Sequence, residues 1–326
     1  MRRFIKTLLL FLMPVLLVSY IVVWLYEKPR REAIKNETHD TQVKWLDIQN
    51  PANEFNVIIV GSSRGDSAYN PFIIDSIAKT NSYNMCSGSQ NIIETYYILK
   101  EILKYQKPEI IVYDTFLPSF SNDPDYFHVL SNGKFMSKSG VFDMIFNGFG
   151  SQGVSNYMFP ILKYKSYFKN DIINSIKSVK EVPDHSYRIQ GYYYSDKVID
   201  SISISKFGSL YSFKNMSISK EKTEHYISLI SELCTTNGVT FLPIRAPYPP
   251  TRIKENGSDS VHFYFENLYN KLGIDFYDFN HINDTLFIDS DFSDHHHLNY
   301  MGATKVSKEL GMLVDTIVNN EKSLLK

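Results

Sequence analysis

Twenty consecutive residues, Thr7 to Tyr26, carry no charge, and no other feature limits so sharply what this chain can fold into. A helix rising 1.5 Å per residue over that length matches a hydrocarbon core of roughly 30 Å. The segment is therefore expected to span a bilayer; buried helices of soluble proteins seldom run so far without a charge. Pro14 is tolerable in such a helix. Arg2, Arg3 and Lys6 precede it and fit an N-terminus held in the cytoplasm, but Lys28, Arg30, Arg31 and Lys35 follow, so charge counting leaves the topology open. A cleaved signal peptide has a shorter apolar stretch and a small-residue cleavage site. Here the run ends in Trp24-Leu25-Tyr26-Glu27, which favours an uncleaved, single-pass anchor over residues 1–26 with the remainder on the extracytoplasmic side.

Beyond the anchor, residues 27–54 are charged and weakly periodic and read as a membrane-proximal linker or peripheral helix, and residues 55–326 as the folded domain. Hydrophobic residues at 43% and charged residues at 21% are ordinary for a globular chain. Lys+Arg 34 against Asp+Glu 35 gives no broad basic surface, so no nucleic-acid partner is expected. Cys86 and Cys234 make neither a disulfide framework nor a zinc site by themselves.

Asn56-Val57-Ile58-Ile59-Val60 is a short β-branched run ending at Gly61, the pattern of a buried parallel strand. A second strand is expected at Ser82 to Met85, a helix with Ile92, Tyr96, Leu99 and Leu103 on one face, and a third strand at Glu109 to Tyr113. Strand, helix, strand at this spacing is a βαβ unit, which argues for an α/β fold with a parallel central sheet. The alternation resumes with a helix over Lys220 to Thr236, a strand at Val239 to Ile244, a helix near Val261 to Leu272 and a strand at Ile274 to Tyr277. A last helix from Tyr300 places Ala303, Val306, Leu310, Leu313 and Ile317 together. Between about 118 and 215 the alternation breaks down into aromatic-rich sequence, read as an insertion. Its Tyr192-Tyr193-Tyr194 run suits either a stacking platform for a sugar or acyl group or an ordinary small core.

Chemistry points to two places. In Gly61-Ser62-Ser63-Arg64-Gly65 a serine starts the turn just past a central parallel strand, where open α/β sheets hold their ligands. Spacing to the glycines favours Ser63 over Ser62 as the reactive hydroxyl. A serine nucleophile needs a base, normally a histidine oriented by a carboxylate. Asp294 and His297, three apart just before the last helix, allow the carboxylate to take Nδ1 and leave Nε2 for a serine proton. Asn299 is a natural cap for that helix, and Gly302 permits close packing. The His295-His296-His297 run invites a metal reading, but adjacent side chains diverge and no second ligand cluster accompanies them, so no metal is expected. Gly61-x-Ser63-x-Gly65 also fits the nucleophile elbow of α/β-hydrolases, but there the serine follows several strands and acid and base lie on separate loops. Gly148-Phe149-Gly150-Ser151-Gln152-Gly153 formally fits a dinucleotide fingerprint without a βαβ unit around it.

Taken together, Gly61-Ser62-Ser63, Asn84-Met85-Cys86-Ser87-Gly88 and Asp294-xx-His297 with Asn299 and Gly302 resemble the SGNH, or GDSL-like, hydrolase superfamily. The likeness is to its membrane-anchored, cell-envelope branch, which includes alginate acetylation and teichoic-acid D-alanyl transfer proteins. The resemblance implies a flavodoxin-like three-layer α/β/α sandwich, Ser63 as nucleophile, His297 as base and Asp294 as its orienter, with backbone N–H groups of Ser63 and Gly88 in the oxyanion hole and no cofactor. It covers roughly residues 56–116 and 220 to the end. One departure stands out: most members carry Gly-x-Asn after the third strand, whereas this chain has Tyr113-Asp114-Thr115-Phe116, leaving Thr115 as the candidate donor there. The expectation is a membrane-tethered serine esterase or O-acyltransferase acting on an acylated envelope polysaccharide or small acyl ester. The rival expectation is a non-catalytic glycan-binding scaffold on the same fold.

Overall fold

The β-branched run Val57–Val60 forms β1, with all four residues buried because the strand has cover on both faces. In the computed structural model the described residues are 2–28, 31–164, 188–200, 203, 211–213, 216–256, 260–281 and 286–324. Ser82–Asn84 is β2 and Ile110–Asp114 is β3. Arg188–Ile189 (β4) and Tyr192–Tyr193 (β5) make a small antiparallel hairpin; Thr240–Arg245 is β6 and Tyr277–Asp278 is β7. The main sheet has five strands in the order β2-β1-β3-β6-β7, and every neighbouring pair is parallel. β7 is two residues long, shorter than the expected strand from Ile274, because only Tyr277 and Asp278 find partners, on Ile244 and Arg245.

Residues alternate across this sheet. Val57, Ile59, Ile110, Val112, Leu242 and Ile244 form one cluster with Ile74 and Ala78 of the helix Pro71–Ala78 and with Val306, Leu310 and Val314 of the helix Tyr300–Leu324. Ile58, Val60 and Ile111 point the other way and are equally buried. The helix Lys220–Thr236 packs on β6 and on the helix Ile92–Ile102. Each such apolar side chain contributes roughly 1.5–3 kcal/mol when fully buried, so this double-sided core fixes the strand ends from which the loops emerge.

Two helical faces differ from the sequence expectation. Ile92–Ile102 buries Ile92, Ile93, Tyr97, Ile98, Leu99 and Ile102 and leaves Tyr96 and Leu103 only partly covered, because the helix is packed over a wide arc. In the last helix the buried line runs Ala303, Val306, Leu310, Val314, Val318, with Leu313 and Ile317 half-buried beside it. A straight 3.6-residue period carries the stripe to 314 and 318.

The chain divides into two compact units, 1–45 with 125–184, and 46–124 with 185–326. The second holds the sheet. The first holds the helix Arg2–Glu27, of which Leu10–Glu27 is long and apolar enough to cross a membrane. Val23 packs there with Phe127 and Tyr164, and Tyr164 donates to Glu27. The expected linker contains the helix Arg31–Gln49, in which Trp45 donates to Asn132 Oδ1 at 3.2 Å. The glycine-containing stretch 148–153 follows a helical turn and enters the helix Gly150–Met158, with no strand before it.

Candidate active site

The order of strand addition reverses at β1: β2 lies on one side of β1 and β3 on the other. Such a switch point opens a crevice at the carboxyl ends of the strands. Ser63 lies there, first residue of the short helix Ser63–Ala68 that follows β1. Ser62 caps that helix, its hydroxyl accepting the Arg64 N–H at 3.4 Å, and is buried. A Cβ on Gly61 would stand 2.9 Å from the Asp114 Cβ, so β1 can turn this closely past β3 only with glycine there. Asn84 anchors the helix from the neighbouring strand, its Nδ2 donating to Gly65 O at 2.9 Å and Tyr69 O at 2.8 Å.

The C-terminal partners arrive on a pinned loop. Phe292 and Leu298, both buried, form an antiparallel bridge, and the Ser293 N–H donates to His297 O at 2.9 Å. The loop between them carries Asp294 and His297. Asp294 Oδ1 accepts the N–H groups of His296 and His297, both at 2.9 Å, while Oδ2 lies 2.7 Å from His297 Nδ1. His297 Nε2 in turn lies 2.8 Å from Ser63 Oγ. Burial alone would push the Asp294 carboxyl up, but the hydrogen bond from His297 and that ring's charge outweigh it and hold the carboxyl well below the usual carboxylate range. Asn299 Oδ1 caps the final helix by accepting from Met301 N and Gly302 N. A Cβ on Gly302 would fall 2.4 Å from Asp291 O, so helix and loop meet at this glycine.

Gly88 sits partly exposed in the turn after β2, where Ser87 N–H donates to Gly61 O at 3.0 Å and so ties that turn to the segment leading to Ser63. Thr115 requires a correction. It is fully buried, its N–H donates to Ile244 O at 2.6 Å, and its hydroxyl pairs with the Tyr269 hydroxyl at 2.9 Å. Its N–H is held by the sheet and its hydroxyl is engaged with Tyr269 in the core, where either hydroxyl can be the donor, an engagement that counts against an oxyanion role. The preceding residue, Asp114, is also internal: its Oδ1 accepts from Tyr69 OH and from Ala246 N, each at 3.0 Å, and burial pushes its carboxyl up. A family model without a functional description matches residues 211–319. No curated protein matches the chain.

Several residues at the site carry no sequence signal of their own. Arg64, only 1% exposed, donates through Nη2 to Ala246 O and to Pro247 O, the latter at 2.8 Å, and its guanidinium lies 3.9 Å from the Tyr248 ring centre and 5.0 Å from that of Phe116. Arg252, also buried, donates to His295 O at 2.7 Å and lies over Tyr211 and Tyr248. His296 stacks on Phe116. Adjacency to Ser63 was the only hint for Arg64, and His296 stood out in the sequence only as part of the His295-His296-His297 run. Tyr248 also lines a mainly apolar cavity of about 210 Å³ with Pro247, Ile253, Phe279 and Phe287. Of the tyrosine run, Tyr192 is buried in the hairpin, and Tyr194 stacks on Tyr300.

Among the described residues, two groups have metal-ligating atoms within 4.8 Å of one another, Asp294-His296-His297 and His262-Asp278-His281. The first is the loop just described. In the second, Asp278 Oδ2 already meets Arg245 Nη1 at 2.8 Å and His262 Nδ1 at 2.9 Å, so a cation there would face a fixed guanidinium charge.

Proposed function

We propose that this chain is a membrane-tethered serine esterase or O-acyltransferase of the SGNH type, with a flavodoxin-like three-layer arrangement, working on an acylated envelope glycan or a related ester. The observation that carries the proposal is the unbroken series of contacts from Ser63 through His297 to Asp294. His297 Nε2 takes the Ser63 proton as Oγ attacks the ester carbonyl, and Asp294 stabilises the imidazolium that forms. The tetrahedral oxyanion meets the Ser63 N–H, which as the first of a helix has no acceptor within it, and the Gly88 N–H. His297 then protonates the leaving alcohol. The acyl group passes from Ser63 to water or to a sugar hydroxyl, with His297 again taking the proton. The apolar helix at the N-terminus supports single-pass anchoring, and Arg2, Arg3 and Lys6 before it suit a catalytic unit on the extracytoplasmic side.

The test is covalent labelling of the full chain by a fluorophosphonate probe. Labelling of the wild type that disappears in both Ser63→Ala and His297→Ala is expected; labelling that persists in either removes that residue from the reaction. The second reading, a scaffold that holds a glycan without turnover, draws on the engagement of Thr115, which leaves two backbone donors where most relatives of this type add an Asn side chain. A burst of alcohol release from an acetyl ester would exclude it.

A further inference from the structure

Beside the Ser63–His297 pair lies a group of cationic and donor side chains that the ester chemistry above does not use. Arg64 follows the nucleophile and His296 precedes the base. Arg64 is buried, yet only its Nη2 finds acceptors, and these are the neutral carbonyls of Ala246 and Pro247. Its Nε and Nη1, and the Nδ1 of His296, are enclosed without a hydrogen-bond partner. Asp114 and Arg64 feel each other's charge, but among the described residues no ion pair joins them: Asp114 Oδ1 accepts from Tyr69 and Ala246, and its Oδ2 is itself enclosed without a hydrogen-bond partner. A second buried guanidinium, Arg252, reaches the same loop through His295 O and shares Tyr248 with Arg64.

A buried guanidinium is costly unless an anion or a full set of acceptors compensates it. Two of them share one aromatic wall, made by Phe116, Tyr211 and Tyr248. Burial and the neighbouring His297 charge keep His296 neutral, so it adds a polar edge without adding charge. The carboxylate on this loop, Asp294, gives Oδ2 to the His297 ring and Oδ1 to the N–H groups of His296 and His297, with Oδ1 4.0 Å from His296 Nδ1. The group therefore offers one guanidinium with enclosed, unpartnered N–H groups next to the nucleophile, Arg64, and a second, Arg252, on the same aromatic wall. Planar N–H forks of this kind match carboxylate and phosphate oxygens.

We propose that Arg64, Arg252 and His296 form an anion-binding subsite next to Ser63, so that the preferred ester carries a carboxylate or phosphate close to its scissile carbonyl. The choice of ester rests on the serine-esterase reading; the binding of the anion does not.

The experiment uses the full chain in detergent. Binding is measured with the Ser63→Ala protein, titrated with inorganic phosphate and separately with acetate at constant ionic strength, by thermal shift and calorimetry. Saturable binding of one of them is expected, weakened about ten-fold or more by Arg64→Gln, as loss of one charge-assisted hydrogen bond implies. Arg252→Gln, expected to weaken it in the same direction, serves if Arg64→Gln fails to fold. Turnover by the unmutated chain is measured on two pairs, an acetylated uronate against its methyl ester and an acetylated glycerol phosphate against acetyl glycerol. The pair with the larger preference for its charged member identifies carboxylate or phosphate. Saturable anion binding with no turnover of any ester would keep the subsite and sink the esterase reading. Turnover without preference, absence of saturable binding, or binding unaltered in a folded arginine variant would overturn the subsite.

Discussion

Asp294 holds His297 at two points: one carboxylate oxygen accepts the backbone N–H of His297 at 2.9 Å while the other lies 2.7 Å from its ring Nδ1. The first contact fixes the backbone from which the ring projects, and the second fixes the ring itself. Orientation and charge are therefore separable by mutation. Asp294→Asn keeps an oxygen for the two backbone donors but presents an amide to Nδ1, which favours the wrong imidazole tautomer. Turnover of an acetyl ester should fall by roughly 10²–10⁴-fold with little change in melting temperature. A fall below ten-fold would remove Asp294 as the orienter.

Thr115 gives the opposite pattern. Thr115→Val removes the partner of the buried Tyr269 hydroxyl and should cost about 1–3 kcal/mol in urea unfolding. Because the Thr115 N–H and hydroxyl are both engaged in the interior, the rate constant of acyl-serine formation should stay within about two-fold, less than the 10²–10³-fold typical of a lost oxyanion donor.

Asn84 tests how the nucleophile's helix is held. Asn84→Ala removes the side-chain donor from Tyr69 O and one of two donors from Gly65 O, which keeps the Tyr69 N–H at 3.2 Å, and a loss of about 1–3 kcal/mol is expected. Chemical denaturation checks the stability, and probe-labelling rates check whether Ser63 has shifted.

Gly302 joins the final helix to the loop of Asp294 and His297. Gly302→Ala puts a methyl on the Asp291 carbonyl, a backbone atom that cannot swing away, and should destabilise by about 1–3 kcal/mol. Probe labelling should slow as well, since the displaced loop carries the base. Unchanged stability would mean that the helix N-terminus adjusts freely.

Stability should decline on acidification in two stages. Burial, followed by the charge on His297, lowers the His296 pKa, so between its folded value and the unfolded value of about 6.5 the unfolded chain binds the extra proton. Its stabilising contribution is complete above about pH 6.5 and is lost as the pH falls, by at most ~1.4 kcal/mol per pH unit. Asp294 and Asp278 are both held low, by His297 and by Arg245 with His262 respectively, against the upward push of burial. Their contributions are present above about pH 4 and disappear below it. Urea unfolding across pH 3–8 measures this, and His296→Phe should flatten the first stage; a slope unchanged in that variant would assign the proton elsewhere.

The chain's local patterns were enough for the repeating part of the fold. Asn56–Val60 and Glu109–Tyr113 read as buried strands because their runs are apolar and β-branched, and the structure places strands at Val57–Val60 and Ile110–Asp114; Asn299 reads as a cap because a short amide side chain precedes an apolar stripe. The Gly61-Ser62-Ser63 turn and the Asp294–His297 spacing were legible for the same reason, since each lies within a few residues. Tertiary structure decided what depends on residues far apart in the chain. Thr115 looked like a free hydroxyl until Ile244 and Tyr269, from later segments, engaged its N–H and hydroxyl. No local pattern marks Arg64 as buried; the carbonyls of Ala246 and Pro247 and the ring of Tyr248 enclose it. Sequence fixes which groups are present and their local geometry; only packing of distant segments fixes which of them are enclosed, partnered or left to meet a ligand.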